Sequence, residues 1–376
     1  MSNRTALILT GGGARAAYQA GVLLAIRELM PEKCENPFSI LCGTSAGAIN
    51  AATLACNADD FCGAVETLAD IWGNIRAGQV YRADPIGIAA SGARWLGVLM
   101  FGWLFKRTPH SLLDNTPLRQ MLERRLDFDN IGRSIAGGSL YAISLTASGY
   151  ASGQSVSFFQ ARSSVEAWER THRIGSRAQL TIDHLMASSA IPFIFPAVCL
   201  NREYFGDGSM RQLAPISPAI HLGAEKILII GAGRMLEKPE RQHSRSYPTL
   251  AQIAGHALSS IFLDSLFADI EFMQRINRTL SAIPEETREK EGMTLRSIQT
   301  LIISPSKRLD SLAARHVQSL PWPVRWLLRG VGAMNRRGGA LASYLLFEKP
   351  YTQALIEMGY KDTLRRKEEV IAFLDI

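Results

Sequence analysis

A serine bracketed by glycines, directly after an apolar run, constrains the fold of this chain more than any other feature. Residues 38–42 are apolar, Gly43-Thr44-Ser45-Ala46-Gly47 follows, and the sequence is then rich in Ala and Gly up to Cys56. A strand that turns sharply into a helix can present a side chain at the apex only where its neighbours lack bulk. The positive end of the helix would favour an oxyanion at the same point. We therefore expect strand, turn and helix here, with Ser45 as a candidate nucleophile; a plain Gly/Ser turn is the alternative.

A second glycine-rich turn lies upstream of Ser45. Residues 6–10 predict a buried strand, and Gly11-Gly12-Gly13-Ala14-Arg15 follows it. Successive glycines leave their N–H groups unobstructed, so the loop could hold a phosphate or the oxyanion of an acyl-transfer intermediate. The sequence lacks both a P-loop lysine motif and a dinucleotide fingerprint, and nucleotide binding is not expected. A purely structural turn is the alternative. Helical spacing then runs from Tyr18 to Leu29, before Pro31.

Asp207 stands between Gly206 and Gly208, after an aromatic pair that predicts the end of a strand. An aspartate in such a setting usually hydrogen-bonds its own backbone in a turn. Taken alone, the pattern favours that turn.

Together these motifs resemble the patatin-like phospholipase family in order and spacing: the loop at 9–15, the pentapeptide around Ser45, and Asp207-Gly208-Ser209. The stretch Ala187-Ser188-Ser189-Ala190-Ile191-Pro192, with Phe195-Pro196 beyond it, is similar to that family's lead-in to its aspartate strand. The resemblance covers roughly residues 4–232. Ala16, where many members have Gly, and Ser209, where Gly or Ala is common, are mild departures.

The resemblance implies an α/β fold, a patatin-like sandwich in which helices cover a central, mostly parallel sheet. It implies a catalytic dyad without histidine, with Ser45 as nucleophile and Asp207 as general base. The oxyanion hole would consist of the amides of Gly11, Gly12 and Gly13. Arg15 would support the oxyanion or contact a substrate phosphate, and a structural ion pair is its alternative role. No metal and no other cofactor is expected.

A Ser-His-Asp triad remains an alternative, because triad members meet in space and not in sequence. His184, directly after Asp183, is the best candidate among the seven histidines. An exposed or helix-capping role is the favoured interpretation of this residue.

Composition and further patterns suggest a catalytic domain at 1–232 and a mainly helical C-terminal extension at 233–376. With 376 residues and 47% hydrophobic residues, the chain can bury a large core. Apolar runs at 140–145 and 226–230 predict further strands, and 251–277 predicts a helix. Helical patterns at 116–125 and 165–172 between the strands favour a largely parallel α/β sheet.

The cysteines and the N-terminus predict a cytoplasmic protein. Five cysteines with no zinc-site spacing suggest free, mostly buried thiols of a reducing compartment. The first strand begins almost at the N-terminus, without the pattern of a signal peptide. A peripheral position on the inner membrane surface would be compatible with this location.

The segment 307–337 is strongly basic. It contains seven Lys or Arg residues and one acid, for a local net charge of +6. From Pro323 onward its apolar residues follow helical spacing, and Trp322 and Trp326 are four apart. Such a helix could lie on an anionic membrane through 322–337, although docking on the protein's own core is the commoner arrangement. Nucleic-acid binding is not expected, because no recognition motif accompanies the charge.

The chain as a whole favours arginine over lysine, with 32 arginines and nine lysines. Arginine binds phosphate oxygens well, but the base composition of a genome also produces such a bias.

The apolar segment 86–105 approaches the length that spans a bilayer, but Arg94 and four glycines argue against spanning. We interpret it as an interfacial cap or as a wall of an acyl pocket, with an ordinary buried helix as the alternative.

The resulting expectation is a serine lipid acyl hydrolase that cleaves carboxylic esters of phospholipids or lysophospholipids. An acyl-thioesterase or neutral-lipid hydrolase of the same mechanism is the nearest alternative. A non-catalytic lipid-binding membrane protein is the alternative from a different class. Head group, chain length and oligomeric state are not predicted.

Overall fold

The computed structural model describes residues 4–31, 35–85, 87, 111–234, 247–293, 295–330, 332–334 and 339–376. The segment 86–105, predicted as a cap or pocket wall, lies outside these residues apart from Gly87, as do Arg336 and Arg337 of the basic segment.

The strands are β1 Thr5–Leu9, β2 Ile40–Thr44, β3 Ala142–Gly149, β4 Ser155–Ala161, β5 Trp168–Arg170, β6 Arg173–Arg177, β7 Val198–Leu200, β8 Glu203–Asp207, β9 Lys226–Ile230 and β10 Gln299–Ile303. The helices are α1 Ala17–Leu29, α2 Ala46–Cys56, α3 Phe61–Asn74, α4 Ala77–Val80, α5 Thr116–Arg125, α6 Asp129–Gly137, α7 Ile182–Ser188, α8 Ser217–His221, α9 Leu250–Ser281, α10 Glu285–Lys290, α11 Leu309–His316, α12 Trp322–Gly330, α13 Gly339–Leu345, α14 Lys349–Leu364 and α15 Lys367–Leu374.

The described strands form one mixed sheet in the order β10-β9-β1-β2-β3-β4-β6-β5, and the β7-β8 hairpin pairs with β3 through β8. The five neighbours from β10 to β3 run parallel, whereas β4 and β8 are antiparallel to β3. The predicted α/β class with a central, mostly parallel sheet is therefore confirmed. Parallel strands need helices on both faces, which explains why β1, β2 and β9 are fully buried.

Two hydrophobic cores lie on the two faces of the sheet. Leu7, Leu9 and Leu41 point into the larger core, which α1, α2, α3 and the C-terminal helices complete. Their neighbours Ile8 and Ile40 point into the smaller core, which α8 and the second half of α9 cover. The alternation follows from the two-residue side-chain period of a strand.

Residues beyond 232 are an integral part of this packing. The strand β10 extends the parallel sheet beside β9. Helices α1 and α14 touch through their backbones, because a Cβ on Gly21 would lie 1.9 Å from the carbonyl oxygen of Ile356. A Cβ on Gly359 would likewise lie 2.2 Å from the oxygen of Tyr18. The C-terminal region is mainly helical, as the sequence predicted.

Helix α9 is 32 residues long and, within the described part of the chain, is the one helix whose length and composition would suffice to cross a membrane. A core helix of a soluble protein can pass the same test. Residues such as Phe262, Leu266, Ile270 and Met273 are buried against the protein. Leu250, Ile253 and Phe272 are exposed, so the helix is amphipathic in its packing.

Two local predictions are wrong. The segment 165–172 is not a helix, because it contains the short edge strand β5. Trp168 of this strand stacks on Phe159 and His221.

The second wrong prediction concerns the cysteines. Cys62 is disulfide-bonded, although free thiols were expected. Sequence spacing does not show which cysteines meet in space. Cys42 and Cys56 are buried free thiols, and Cys199 is a free, exposed one.

Candidate active site

Ser45 occupies the apex of the turn between β2 and α2. Its backbone has φ 56° and ψ −129°, a conformation that side-chain-bearing residues rarely adopt. The turn is tight because α2 begins immediately and lies against β1: a Cβ on Gly47 would be 2.1 Å from the carbonyl oxygen of Leu9. A Cβ on Gly43 would lie 2.6 Å from the Cα of Ala48. The two glycines therefore serve close backbone packing, and the strain stays on the serine between them.

Two serines that the sequence analysis noted without assigning a role hold this turn. The N–H of Ser45 donates to the hydroxyl of Ser188 over 3.0 Å, and that hydroxyl donates to the carbonyl of Thr146 over 2.6 Å. The hydroxyl of Ser189 donates to the carbonyl of Ser45 over 3.2 Å. Both polar groups of the strained peptide thus have partners, and the N–H of Ser45 is not free to bind an oxyanion.

The strand β3 places Asp207 beside Ser45. The last residue of β2, Thr44, pairs with Thr146 of β3, and Asp207 at the end of β8 pairs with the next residue, Ala147. The last residues of β2 and β8 therefore lie at neighbouring positions along β3. The N–H of Asp207 donates to the carbonyl of Ala190 over 2.9 Å, which ties β8 to the segment after α7.

The carboxylate of Asp207 is buried and has spare hydrogen-bonding capacity. Burial raises its pKa to about 6, while the hydroxyl of Ser45 and the N–H and hydroxyl of Ser209 lower it. Its Oδ1 accepts from the N–H of Ser209 at 2.9 Å, as in the turn that the sequence favoured. Its Oδ2 makes no hydrogen bond to a described residue, so the contact with the Ser45 hydroxyl is looser than a full hydrogen bond. Such contacts often tighten only when substrate is bound.

The glycine loop after β1 lies next to this pair. A Cβ on Gly11 would lie 2.6 Å from the hydroxyl of Ser209 and 2.7 Å from the ring of Phe262. Gly13 has φ +55°, and a Cβ there would lie 2.3 Å from the carbonyl oxygen of Tyr344. No hydrogen bond from the amides of Gly11, Gly12 or Gly13 to another described residue is present. These amides can therefore bind an oxyanion without first breaking a protein hydrogen bond.

Arg15 is held on the C-terminal helix α13, away from the serine. Its Nε donates to the hydroxyl of Ser343 over 2.8 Å, and its guanidinium lies 3.9 Å from the ring centroid of Tyr344. It is buried and forms no ion pair with a described carboxylate. Its direct contacts are an aromatic face and a hydroxyl, and its charge helps to lower the pKa of Asp310.

A buried polar network connects the glycine loop to α2. The amide of Gln19 donates to the carbonyls of Thr10 and Ile230, over 2.9 and 3.2 Å. Asn50 donates to the Oε1 of Gln19 over 2.8 Å and accepts from the indole of Trp72 at 2.7 Å. The network holds the ends of β1 and β9 in position. The sequence contains no signal for it beyond two polar residues in apolar helices.

His184 does not approach Ser45 or Asp207 through any contact of the described residues. Its Nδ1 lies 2.9 Å from the hydroxyl of Thr181 and accepts from the N–H of the same residue, at the start of α7. Its ring packs edge-on against Phe158. Burial lowers its pKa, and the nearby Asp183 partly offsets this shift. The residue has the helix-capping role that the sequence analysis favoured over a triad.

An apolar cavity opens at Ser45 and is called the acyl cavity below. Besides Ser45, Gly13 and Ser189, its lining is entirely apolar; the lining includes Trp72, Val80, Leu118, Met121, Phe195 and Phe347. Its volume of about 30 Å³ would hold one or two water molecules. Ser45 and Asp207 are each 1% exposed. A ligand must therefore part the walls to enter, and the aromatic and aliphatic lining suits an alkyl chain.

Three residues of the site come from beyond 232 and carried no sequence signal. Phe262 on α9 and Tyr344 on α13 stack at 5.2 Å between ring centroids and cover the glycine loop. Phe347 closes the acyl cavity against Trp72. Only the tertiary fold brings these rings to a loop more than 240 residues earlier.

The sequence matches a family model and curated relatives. The model of the patatin-like phospholipase family matches residues 7–220. Among curated proteins, the uncharacterized protein YjjU of Escherichia coli is 28% identical over 228 residues, covering 60% of this chain and 51% of that protein. A cGAMP-activated phospholipase of Pseudomonas aeruginosa is 26% identical over 210 residues, covering 56% and 53%. The chain thus spans about half the length of these curated relatives.

Two solved structures align with most of this chain at low sequence identity and low TM-score. VipD of Legionella pneumophila aligns with 95% of this chain and 67% of its own, with 12% identity and a TM-score of 0.33. The type III effector ExoU aligns with 98% of this chain and 53% of its own, with 13% identity and a TM-score of 0.37.

The family model covers more than half of the sequence, including every motif around Ser45 and Asp207. The chain therefore belongs to the patatin-like phospholipase family.

Proposed function

We propose that this protein is a serine lipid acyl hydrolase that cleaves carboxylic esters of phospholipids or lysophospholipids. The observation that carries the proposal is the pairing of a strained, buried Ser45 with a buried carboxylate, Asp207, at the mouth of an apolar cavity. A lipid hydrolase is also what the family indicates.

In the first half of the reaction, the hydroxyl of Ser45 attacks the ester carbonyl and Asp207 accepts its proton. The negative charge that develops on the carbonyl oxygen is stabilised by the free amides of Gly11, Gly12 and Gly13. Collapse of this intermediate breaks the bond to the alcohol oxygen, which takes the proton from Asp207. The alcohol leaves, and an ester of Ser45 remains.

In the second half, water replaces the alcohol. Asp207 accepts a proton from the water as its oxygen attacks the acyl-serine, and returns that proton to the oxygen of Ser45. A pKa of about 6 leaves Asp207 mostly ionised at neutral pH and makes it a better base than an ordinary aspartate. This chemistry needs no metal ion.

The helix α12 supports a peripheral contact with anionic membranes. Val324 and Leu328 are buried against the protein, so one side of the helix is docked, as the alternative interpretation predicted. The other side is not docked: Trp322 and Trp326 are 62% and 71% exposed, next to Arg325 and Arg329. Aromatic and basic side chains on one surface match the interface of an anionic bilayer. We define these four residues as the Trp-Arg surface.

The proposal is tested by active-site labelling and substrate choice. We expect a fluorophosphonate probe to label wild-type protein and to fail on Ser45→Ala. Ser45→Ala and Asp207→Asn should each remove nearly all ester hydrolysis, and the double variant should be little worse because the two groups act as a unit. His184→Ala, at a buried residue of the α7 cap, is the control.

A panel of phospholipid, monoacylglycerol and acyl-CoA with the same acyl chain then identifies the substrate class. Preference for the phospholipid supports the proposal, and preference for acyl-CoA would instead identify a thioesterase. More than a few per cent of residual turnover in folded Ser45→Ala would exclude this serine as the nucleophile.

A further inference from the structure

A polar cleft adjoins the side of the glycine loop from which Arg15 projects, and it is not used in the chemistry above. Its volume is about 600 Å³. Arg15, Arg234 and Arg308 line it, together with polar side chains of α9 that include Gln252 and His256. We call it the arginine cleft.

The parallel strands explain why three arginines meet there. The last residues of β1, β9 and β10, namely Leu9, Ile230 and Ile303, are in register. Arg15, Arg234 and Arg308 follow these strand ends by six, four and five residues. Because the carboxyl ends of adjacent parallel strands lie at one edge of the sheet, the loops after them converge. Ligands of open α/β sheets bind at this edge.

The charges of the cleft favour an anion. Arg15 and Arg234 form no ion pair with any described residue, whereas Arg308 pairs with Asp310 at 3.0 Å. Asp264 also lines the cleft and accepts a hydrogen bond from Ser260. Arg15 also interacts electrostatically with Asp310, whose pKa it helps to lower. Among the described lining residues, three guanidinium groups face two carboxylates, so the cleft carries a net positive charge. The planar fork of arginine matches phosphate oxygens, which it binds in bidentate fashion.

The glycine loop joins this cleft to the proposed reaction site. Gly13 lines the acyl cavity, and Arg15, two residues further on, lines the arginine cleft. A phospholipid has the same arrangement, with its ester carbonyl between an alkyl chain and a phosphate.

We propose that the arginine cleft binds the phosphate of a phospholipid head group, through Arg234 and Arg308 with Arg15 at its inner end, while the acyl chain occupies the acyl cavity. This assignment rests on the proposed function and gives the enzyme a preference for phosphate-bearing lipids.

The kinetic test compares two monomeric substrates with the same chain, hexanoyl lysophosphatidylglycerol and hexanoyl monoglyceride. Two variants remove the proposed phosphate ligands: Arg234→Gln, and a double variant of Arg308→Gln with Asp310→Asn. The second change in the double variant avoids leaving an unpaired acid. Each variant should lower kcat/KM for the phospholipid by about tenfold or more, as expected for a lost hydrogen bond to a charged group. Hydrolysis of the monoglyceride should change less than about twofold, because the Ser45 site is intact. Arg124→Gln, an exposed arginine on α5, is the control. Equal losses on both substrates, or no loss on either, would overturn the proposal.

A binding measurement separates this proposal from the catalytic one. Glycerol phosphate should raise the Tm of Ser45→Ala protein, and the shift should disappear when Arg234→Gln is added. This readout does not depend on the nucleophile, so it remains valid if another residue attacks the ester. Inorganic phosphate should compete with the phospholipid substrate in the wild-type enzyme. Phosphate that binds in the cleft without raising KM for the phospholipid would identify a site for a different anion and refute the head-group assignment.

Discussion

At the scale of single residues, the site concentrates unfavourable conformations and charges that the surrounding fold must hold in place. Ser45 has a left-handed φ, which costs on the order of 1 to 3 kcal/mol for a residue with a side chain. Asp207 is buried with one oxygen unpartnered in the described structure. Ser45 is held by its hydrogen bonds with Ser188 and Ser189 and by the close packing around its flanking glycines. Asp207 is held by hydrogen bonds with Ser209 and Ala190. Strain and a raised pKa in one place are typical of reactive sites.

The pKa of Asp207 predicts the pH dependence of the reaction. The base must be ionised, so kcat/KM for a soluble short-chain ester should rise with pH and level off above a midpoint of about 6. Initial rates between pH 4.5 and about pH 8, in the range where the protein stays folded, measure this profile. A midpoint near the ordinary value for aspartate, or a flat profile, would contradict the role of burial in tuning this group.

The same carboxylate should destabilise the folded protein above pH 6. Because the pKa of Asp207 is higher in the folded state than its ordinary 3.8, protonation stabilises the fold at low pH, and that contribution is lost as the pH rises through about 6. Asp207→Asn should therefore increase the free energy of unfolding at pH 8 by on the order of 3 kcal/mol, and by much less near pH 4. Urea denaturation at both pH values measures the difference. The prediction fails if the variant has the same advantage at both.

At the scale of elements, helix α12 has one buried face and one exposed face. Its buried apolar residues attach it to the core, whereas Trp322 and Trp326 of the Trp-Arg surface are exposed. The docked-helix interpretation applies to the buried side, and the proposed membrane contact concerns the opposite, exposed side.

The Trp-Arg surface predicts a defect that depends on the physical form of the substrate. Arg325→Gln with Arg329→Gln should weaken binding to anionic vesicles, since each basic residue near such a surface contributes about 1 kcal/mol. Turnover on vesicles should fall, and hydrolysis of a soluble ester should persist. Vesicle sedimentation, soluble-ester kinetics and a melting curve measure the three quantities.

Trp322→Ala with Trp326→Ala should have the same pattern, and Arg124→Gln on α5 should have none of it. Unchanged vesicle binding in the stable double-arginine variant would eliminate membrane contact through this surface. A parallel fall in melting temperature and in both activities would show that the arginines act only in packing.

At the scale of the whole molecule, the C-terminal helices complete the site that the first 232 residues begin. Tyr344 and Phe262 cover the glycine loop, and Phe347 closes the acyl cavity. Helix α14 attaches this region to α1 through direct backbone contact at Gly21 and Gly359. Stability and activity should therefore respond together to changes at this crossing.

Gly359→Val tests that coupling. Its Cβ would lie 2.2 Å from the carbonyl oxygen of Tyr18, so α14 must shift away from α1. We expect a loss of stability of about 1 to 3 kcal/mol, the usual cost of overpacking, with reduced soluble-ester hydrolysis. Gly78→Val on α4, where a Cβ meets nothing within 4 Å, is the control. Full activity in a destabilised Gly359→Val protein would show that the C-terminal helices support the fold without shaping the site.

The sequence by itself determined the local features of this protein, because they depend on neighbouring residues. Glycine spacing predicted the turns at Ser45 and in the loop after β1, apolar runs predicted β1, β2, β3 and β9, and periodicity predicted α1, α5 and α9. The order of the motifs identified the family. The prediction of a helix at 165–172 was wrong. The edge strand there is only three residues long, and so short a pattern does not distinguish a strand from a helix.

Tertiary structure alone decided what depends on strand order. Asp207 lies beside Ser45 because β8 pairs with β3 next to the end of β2, although 162 positions separate the two residues. The three arginines converge because β9 and β10, late in the chain, lie next to β1. Such pairings are set by the burial of whole strands and helices against one another, and no local spacing in the sequence records them.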